Sequence, residues 1–90
     1  MNWKINFTSS AEKEFSKLTK SIKLSIRNYL KEKVIHNPRD YGNPLATVGK
    51  VKLWRYRIAD YRLICRLDDI EITVLVVKIG KRDSIYKDKS

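Results

Sequence analysis

One stretch of the sequence, residues 53–67, restricts the fold more than any other. Arginines alternate there with aromatic and aliphatic residues, and the pair Ala59 and Asp60 interrupts the alternation near its middle. Alternation with a period of two predicts strands that have one buried side and one solvent-facing side. A two-residue turn at Ala59 and Asp60 would join the two strands as a hairpin and pair Arg57 with Arg62. The stretch therefore predicts an antiparallel hairpin with one apolar face and one arginine-rich face.

The two predicted faces of this hairpin differ in chemistry. The predicted core face carries Trp54, Tyr56, Ile58, Tyr61, Leu63, Cys65 and Leu67. The opposite face carries Leu53, Arg55, Arg57, Arg62, Ile64 and Arg66. A slip of one residue in the pairing would bury the arginines, which is costly, so we expect this register. Like charges directly opposite each other destabilise a sheet, so the arginine face indicates an anionic ligand; a solvated charged surface is the alternative.

A strand and two helical segments are predicted before the hairpin. Residues 3–7 alternate as a strand does, and Ser9 with Glu12 forms a capping-box pattern that predicts the start of a helix. Apolar residues then recur at helical spacing up to Val34, with a break near residues 19–21. We expect either two packed helices or one kinked helix.

The rest of the chain is predicted to complete a small sheet. Residues 37–44 hold both prolines and predict an ordered, turn-rich connection. After a predicted turn at Asp68 and Asp69, the nearly continuous apolar run from Ile70 to Ile79 is typical of a central strand, with Val74, Leu75 and Val76 in the core. The predicted fold class is α+β, in the order β-α-α-β-β-β, with the helical pair packed on one face of a small antiparallel sheet. We expect one domain over residues 1–86 and a frayed tail over 87–90.

Charge and cysteine content restrict the partners and the compartment. Twenty lysines and arginines against ten acidic residues give a formal net charge of +10, which favours a polyanionic partner, although excess charge can also serve solubility alone. The single cysteine, Cys65, cannot form an internal disulfide and indicates a reducing compartment. No run approaches the ~18 apolar residues of a membrane span, and residues 1–4 do not open a secretory signal. We expect a cytoplasmic protein that has no membrane partner.

Two blocks of the sequence resemble the RelE branch of the RelE/ParE toxin superfamily. The first runs from Leu53 to Ile64 and the second from Val76 to Tyr86. The order of elements is also similar, so the resemblance covers nearly the whole chain. It implies a RelE-like fold of the microbial RNase type and a toxin of a type II toxin–antitoxin system that cuts messenger RNA in the ribosomal A site. It also implies an acidic, RelB-like cognate antitoxin and a toxin–antitoxin complex that can bind operator DNA.

The resemblance further implies a set of site residues. The family pattern of an arginine in the second meander strand, an arginine after the next strand and a tyrosine close behind falls on Arg62, Arg82 and Tyr86. Of two family lysines in the first meander strand, one is Arg55 here and the other is Leu53. We expect Arg55 and Arg62 to stabilise the phosphate transition state, Tyr86 to act as general base, and Arg82 to assist the leaving oxygen. The residues expected to contact only the RNA backbone are Lys50, Lys52, Arg57 and Lys81.

This set predicts RNA cleavage without a metal or other cofactor. The reaction needs a base for the 2′-hydroxyl, cations for the phosphate and a donor for the leaving oxygen. A tyrosine with an ordinary pKa of ~10 is ionised in about one molecule in a thousand at pH 7, a deficit of roughly 4 kcal/mol. A cation at ~4 Å supplies about that much at an effective dielectric of 20 but only about 1 kcal/mol in water. We therefore expect weak cleavage of free RNA and efficient cleavage of RNA that the ribosome holds.

Two other functions fit the same sequence. The ParE branch of the superfamily shares the fold, inhibits DNA gyrase and lacks the nuclease residues. A plain nucleic-acid-binding domain would need only the arginine face and would bind with salt-sensitive affinity. The mapping of RNA ends after expression of the protein separates the nuclease from the gyrase inhibitor, and a lack of any effect on growth favours the binding domain.

Overall fold

The chain folds into two helices packed on one side of a five-stranded sheet. The structure is a computed structural model and describes residues 2–48 and 51–81. The elements are β1 (Lys4–Phe7), α1 (Ser9–Ser16), α2 (Lys20–Tyr29), a π-helical turn (Leu30–Val34), a 3₁₀ turn (Pro38–Asp40), β2 (Asn43–Val48), β3 (Val51–Ile58), β4 (Tyr61–Asp68) and β5 (Thr73–Lys81). The predicted α+β class, with two helices on one face of the sheet, is confirmed. No helix within the described ranges is long and apolar enough to cross a bilayer.

The sheet is mixed and has one strand more than the sequence predicted. Its strand order is β1-β5-β4-β3-β2, and β1 pairs in parallel with β5 while the other pairs are antiparallel. The extra strand, β2, begins at Asn43 inside the region predicted to be a connection. Proline removes a ladder donor and is tolerated at a sheet edge, which is where β2 and its Pro44 lie. The register between β2 and β3 shifts after Pro44, so this edge is irregular.

The central hairpin has the predicted register. Leu53 lies opposite Arg66, Arg57 opposite Arg62, and Ile58 opposite Tyr61. Among the two turn residues, Ala59 alone has a positive φ, of 54°, which is the pattern of a type II′ turn. The residues of the predicted core face that are buried are Tyr56, Ile58, Leu63, Cys65 and Leu67. Burial raises the pKa of the Cys65 thiol, so this cysteine is a core residue rather than a reactive one.

The turn between β4 and β5 is longer than the predicted pair Asp68 and Asp69. Strand β4 continues to Asp68, and β5 begins only at Thr73, opposite Asp68. The Asp68 carboxylate accepts the backbone N–H groups of Ile70 and Glu71, each at 3.0 Å, and so builds a longer turn. Ile70 is 90% exposed instead of lying in a strand. Strand β5 is also not buried on both faces, because Leu75 is only half-buried on the side away from the helices.

The helices begin and end close to the predicted places. The break is confirmed, since Thr19 caps a separate α2 by accepting from the Ile22 N–H at 3.3 Å. The capping box at Ser9 and Glu12 is wrong: Thr8, one residue earlier, caps α1 by accepting from the Ala11 N–H at 3.1 Å. The helical residues buried against the sheet are Ala11, Ile26, Leu30 and Val34.

A paired arginine and aspartate join the 3₁₀ turn to the turn between β4 and β5. Arg39 donates from Nη1 and Nη2 to the two carboxylate oxygens of Asp69, at 2.8 and 2.9 Å. The hydrogen bonds from Arg39 hold the pKa of Asp69 below its usual value, and the positive charge of Lys52 acts in the same direction. The Arg39 and Asp69 side chains are both substantially exposed, so their contribution to stability is modest.

We expect Asp69→Asn to lower the free energy of unfolding at neutral pH by less than about 1 kcal/mol. Because the folded pKa of Asp69 is lowered, the stabilisation is present above the ordinary aspartate pKa of ~3.9 and is lost as the pH falls through the folded value. Urea unfolding of both proteins from pH 7 to pH 2 measures this, with Asp60→Asn, in the exposed hairpin turn, as control. A difference that persists unchanged at pH 2 would contradict the assignment to this ion pair.

Candidate nucleic-acid interface

The side of the sheet away from the helices, here called the open face, collects cations from three adjacent strands. Alternation along the strands and the observed pairing place the following cations there: Arg55, Arg57, Arg62, Arg66 and Lys78. The predicted arginine-rich face therefore exists as one surface. Arg57 and Arg62 are directly opposed on neighbouring strands, with their Cβ atoms roughly 5 Å apart, so these two charges repel each other.

Four of these five cations form two rows across the sheet, and Arg66 lies in a third row between Leu53 and Leu75. One row runs from Arg57 through Arg62 to Gly80, and glycine leaves no side chain beside Arg62 on the β5 side. The next row runs from Arg55 through Ile64 to Lys78. Ile64 thus lies between the guanidinium of Arg55 and the ammonium of Lys78, with Arg62 in the neighbouring row. This arrangement suits a phosphate bound by the cations while the sugar or base packs over Ile64.

Arg62 is the buried member of this group. It is 6% exposed, whereas Arg57 and Arg66 on the same face are exposed. Its Nε is inaccessible to solvent and has no hydrogen-bond acceptor among residues 2–48 and 51–81. Removing a cation from water costs several kcal/mol unless an anion or acceptors compensate. Arg62 therefore has the environment of a group that an anionic ligand completes.

A β-bulge in β5 brings Lys78 to the open face, where the sequence did not predict it. Ile64 pairs with Lys78 but Cys65 pairs with Val76, so Val77 is an extra residue on β5. Because of this extra residue, odd-numbered residues of β5 after the bulge face the side that even-numbered residues face before it. Ile79 consequently enters the core and is 2% exposed, while Lys78 lies on the open face. The local sequence signal is the adjacent pair Val76 and Val77, which breaks the period of two, but an apolar run conceals such a break.

The other predicted site residues do not all join the arginines. By alternation, Lys52 lies on the helix-facing side of β3, where its charge acts on Asp69, and Lys81 lies opposite Tyr61 on that same side of β5. Of the four predicted catalytic residues, Arg55 and Arg62 lie together on the open face. The predicted residues outside the described ranges are Lys50, Arg82 and Tyr86, as is the predicted tail 87–90.

Comparison with known proteins agrees with this fold. Residues 5–86 match the family described as ParE toxin of the type II toxin–antitoxin system parDE. Toxin RelG of Mycobacterium tuberculosis is 26% identical over 87 residues, which cover 97% of this chain and 99% of RelG. The chain therefore belongs to this toxin family of the RelE/ParE superfamily.

Solved structures place the chain beside RelE toxins. The toxin–antitoxin complex RelBE2 of M. tuberculosis contains a chain that is 25% identical, with a TM-score of 0.79 and coverage of 91% of this chain and 100% of that one. The isolated E. coli RelE toxin is 27% identical, with a TM-score of 0.71 and coverage of 96% and 93%. The chain thus shares its fold with RelE toxins of type II toxin–antitoxin systems.

Proposed function

We propose that this toxin is a ribosome-dependent endoribonuclease that cuts messenger RNA in the ribosomal A site and thereby inhibits translation. The observation that carries the proposal is the buried Arg62 beside Arg57 on the open face, because such a site requires an anion to offset its charge. A phosphodiester is the anion that RNA supplies. The family model that matches the chain is that of ParE toxins, but the similarity over nearly the whole chain to toxin RelG and to solved RelE structures favours RNA over gyrase.

The proposed chemistry uses side chains alone. Arg62 and Arg55 would stabilise the charge that builds on the phosphate, Tyr86 would remove the 2′-hydroxyl proton, and Arg82 would neutralise the leaving oxygen. Arg57 and Lys78 would hold the RNA backbone on the open face. Backbone contacts by Lys50, Lys52 and Lys81 stay predictions, and Lys52 and Lys81, on the helix-facing side, would reach only RNA that passes the edge of the sheet. Within residues 2–48 and 51–81, no three His, Cys, Asp or Glu side chains are grouped as metal ligands.

Cations on the helical side support the ribosomal part of the proposal. Lys20, Arg27 and Lys31 are exposed and recur at helical spacing along α2 and the π-helical turn. They face away from the open face, so one RNA strand on the open face would not contact them. A second anionic surface, such as ribosomal RNA, would neutralise them.

An acidic antitoxin is the proposed partner that silences the toxin. RelE-type toxins have been crystallised with RelB-type antitoxins, including the intact RelBE complex of E. coli. The net charge of +10 and the desolvated Arg62 favour a carboxylate-rich segment that lies across the open face and competes with RNA. The toxin–antitoxin complex would then bind operator DNA.

The in-cell test compares wild type with Tyr86→Phe and Arg82→Ala. We expect induction of the wild type to arrest growth and to produce transcripts cut within codons, and we expect both variants to lose the two effects. RNA ends are mapped by primer extension, and the accumulation of each variant is checked by immunoblot. Growth arrest with DNA breaks and intact transcripts would instead indicate a gyrase inhibitor, and unchanged cleavage by both variants would refute the assigned roles.

A further inference from the structure

Strand β5 has partners on both sides for only part of its length. Its pairing with β4 runs from Thr73 to Lys81, but its pairing with β1 ends at Val76. Beyond Val76 the outer backbone groups of β5 need other partners, since buried polar groups without hydrogen bonds are costly. The part of β5 beyond its pairing with β1 includes Lys78 and Gly80, which lie in the two rows of the open face and pair with β4.

Helix α1 supplies the missing partners. At its start, Thr8 donates from its N–H to the Val76 carbonyl oxygen at 3.0 Å and from its hydroxyl to the Val77 carbonyl oxygen at 3.5 Å. Farther along the helix, Glu14 accepts the N–H of Ile79 on its Oε1 at 3.0 Å. These two residues are 65 positions apart in the sequence, and the bond between them is partly buried.

The bond from Glu14 lies immediately after the bulge at Val77. It involves the backbone of Ile79, the residue that the bulge turns into the core, between Lys78 and Gly80 on the open face. Bulges occur next to active sites, where they re-aim side chains, and they need local contacts to keep their register. Without the carboxylate, β5 would lose a bond that favours this shifted register.

We infer that Glu14 is a positioning residue for the cleavage reaction: its carboxylate holds the shifted end of β5, so that Arg62, Lys78 and Gly80 keep the geometry that binds the phosphate. The inference rests on the proposed function. Glu14 acts from the helical side of the sheet through the backbone and need not touch the RNA. Because misplacement of reacting groups by ~1 Å can cost up to about a hundredfold in rate, a loosened β5 should slow the chemical step.

The test measures kcat and KM for cleavage of messenger RNA held on purified ribosomes. We expect Glu14→Ala to lower kcat on the order of tenfold with KM within about twofold of wild type. Glu14→Gln keeps an oxygen acceptor at the same position and should stay within about threefold in kcat. Native-state amide exchange gives a second measurement: the Ile79 N–H should exchange roughly three- to tenfold faster in Glu14→Ala than in Glu14→Gln.

The matched control is Glu12→Ala. Glu12 lies on the same helix, is exposed, and its replacement changes the net charge as Glu14→Ala does. We expect its kcat, KM and Ile79 exchange to equal those of wild type. An equal loss of kcat in Glu12→Ala would show an effect of charge and overturn the positioning role.

The remaining outcomes separate this inference from the proposed function. A kcat for Glu14→Ala equal to wild type, an equal loss in Glu14→Gln, or unchanged exchange at Ile79 overturns the role of Glu14 and leaves the nuclease function standing. A wild-type protein that cuts no ribosome-held RNA overturns the proposed function, and the positioning role with it.

Discussion

Replacing Arg62 by alanine is expected to lower ribosome-dependent cleavage by about a hundredfold or more while the protein stays folded. Arg62 is 6% exposed and lies in the middle strand of the open face, where we propose that the phosphate binds. A preorganised donor in a desolvated site stabilises developing charge far more than an exposed one does. Arg62→Lys should recover only part of the rate, because an ammonium group lacks the planar fork of the guanidinium. Single-turnover cleavage of ribosome-held messenger RNA measures both variants.

Arg62→Ala should lose activity without losing stability. Removing Arg62 relieves the repulsion with Arg57 and the desolvation of its Nε, so we expect the free energy of unfolding to stay the same or rise slightly. The matched control is Arg66→Ala, which removes an exposed arginine from the same face of the same strand. It should change cleavage only a few-fold, through KM. Equal losses in Arg62→Ala and Arg66→Ala would mean that only total charge matters.

Replacing Gly42 by alanine is expected to destabilise the fold by about 3 kcal/mol or more. Gly42 has a φ of +69°, and a Cβ there would lie 2.2 Å from the backbone oxygen of Arg55 and 2.8 Å from Cδ1 of Tyr56. The chain cannot move away easily, because the Trp54 indole donates to the carbonyl oxygen of Tyr41 at 2.6 Å. Urea unfolding measures the loss, and cleavage activity should fall at temperatures where the variant begins to unfold.

Ala59→Gly in the hairpin turn replaces alanine by glycine, the reverse of Gly42→Ala, and is the control for backbone strain. Ala59 has a φ of 54°, which glycine adopts more easily than alanine, and it lies in an exposed turn. Ala59→Gly should therefore raise the free energy of unfolding, by up to about 1 kcal/mol. A Gly42→Ala protein as stable as wild type would contradict the close approach of this backbone to β3.

The sequence predicted the central hairpin well because its signals are local. The alternation of arginines with apolar residues and the short turn at Ala59 and Asp60 together allow one register, and a slip would have buried charges. The break between the two helices was also correct, since a threonine cap and a gap in helical spacing coincide there. These features depend on neighbours within a few residues.

The errors lie where distant contacts override local preference. Strand β2 begins with Asn43 and Pro44, which favour turns, yet pairing with β3 at the sheet edge makes it a strand. The side chain of Asp68 builds the turn that displaces the start of β5 to Thr73. Thr8 and Glu14, far away in the sequence, contact β5 around the bulge at Val77, and the surrounding apolar run conceals the break in alternation there.

The candidate site was also predictable only where its residues lie in the central hairpin. The positions of Arg55, Arg57 and Arg62 on one face followed from the hairpin, whereas the burial of Arg62 and the presence of Lys78 depend on the packing around β5. The assignments of Arg82 and Tyr86 rest on the family resemblance and stay predictions. They are also the assignments that turn a binding face into a nuclease.

Cleavage by the purified toxin tests this account most directly. One messenger RNA is given to the toxin free in solution and bound to ribosomes with an empty A site, and RNA ends are mapped by primer extension for wild type and Tyr86→Phe. We predict cuts within the A-site codon for the wild type on ribosomes, no cuts in the free RNA, and none by Tyr86→Phe. Intact RNA on ribosomes, or equal cutting of free RNA, would contradict the account.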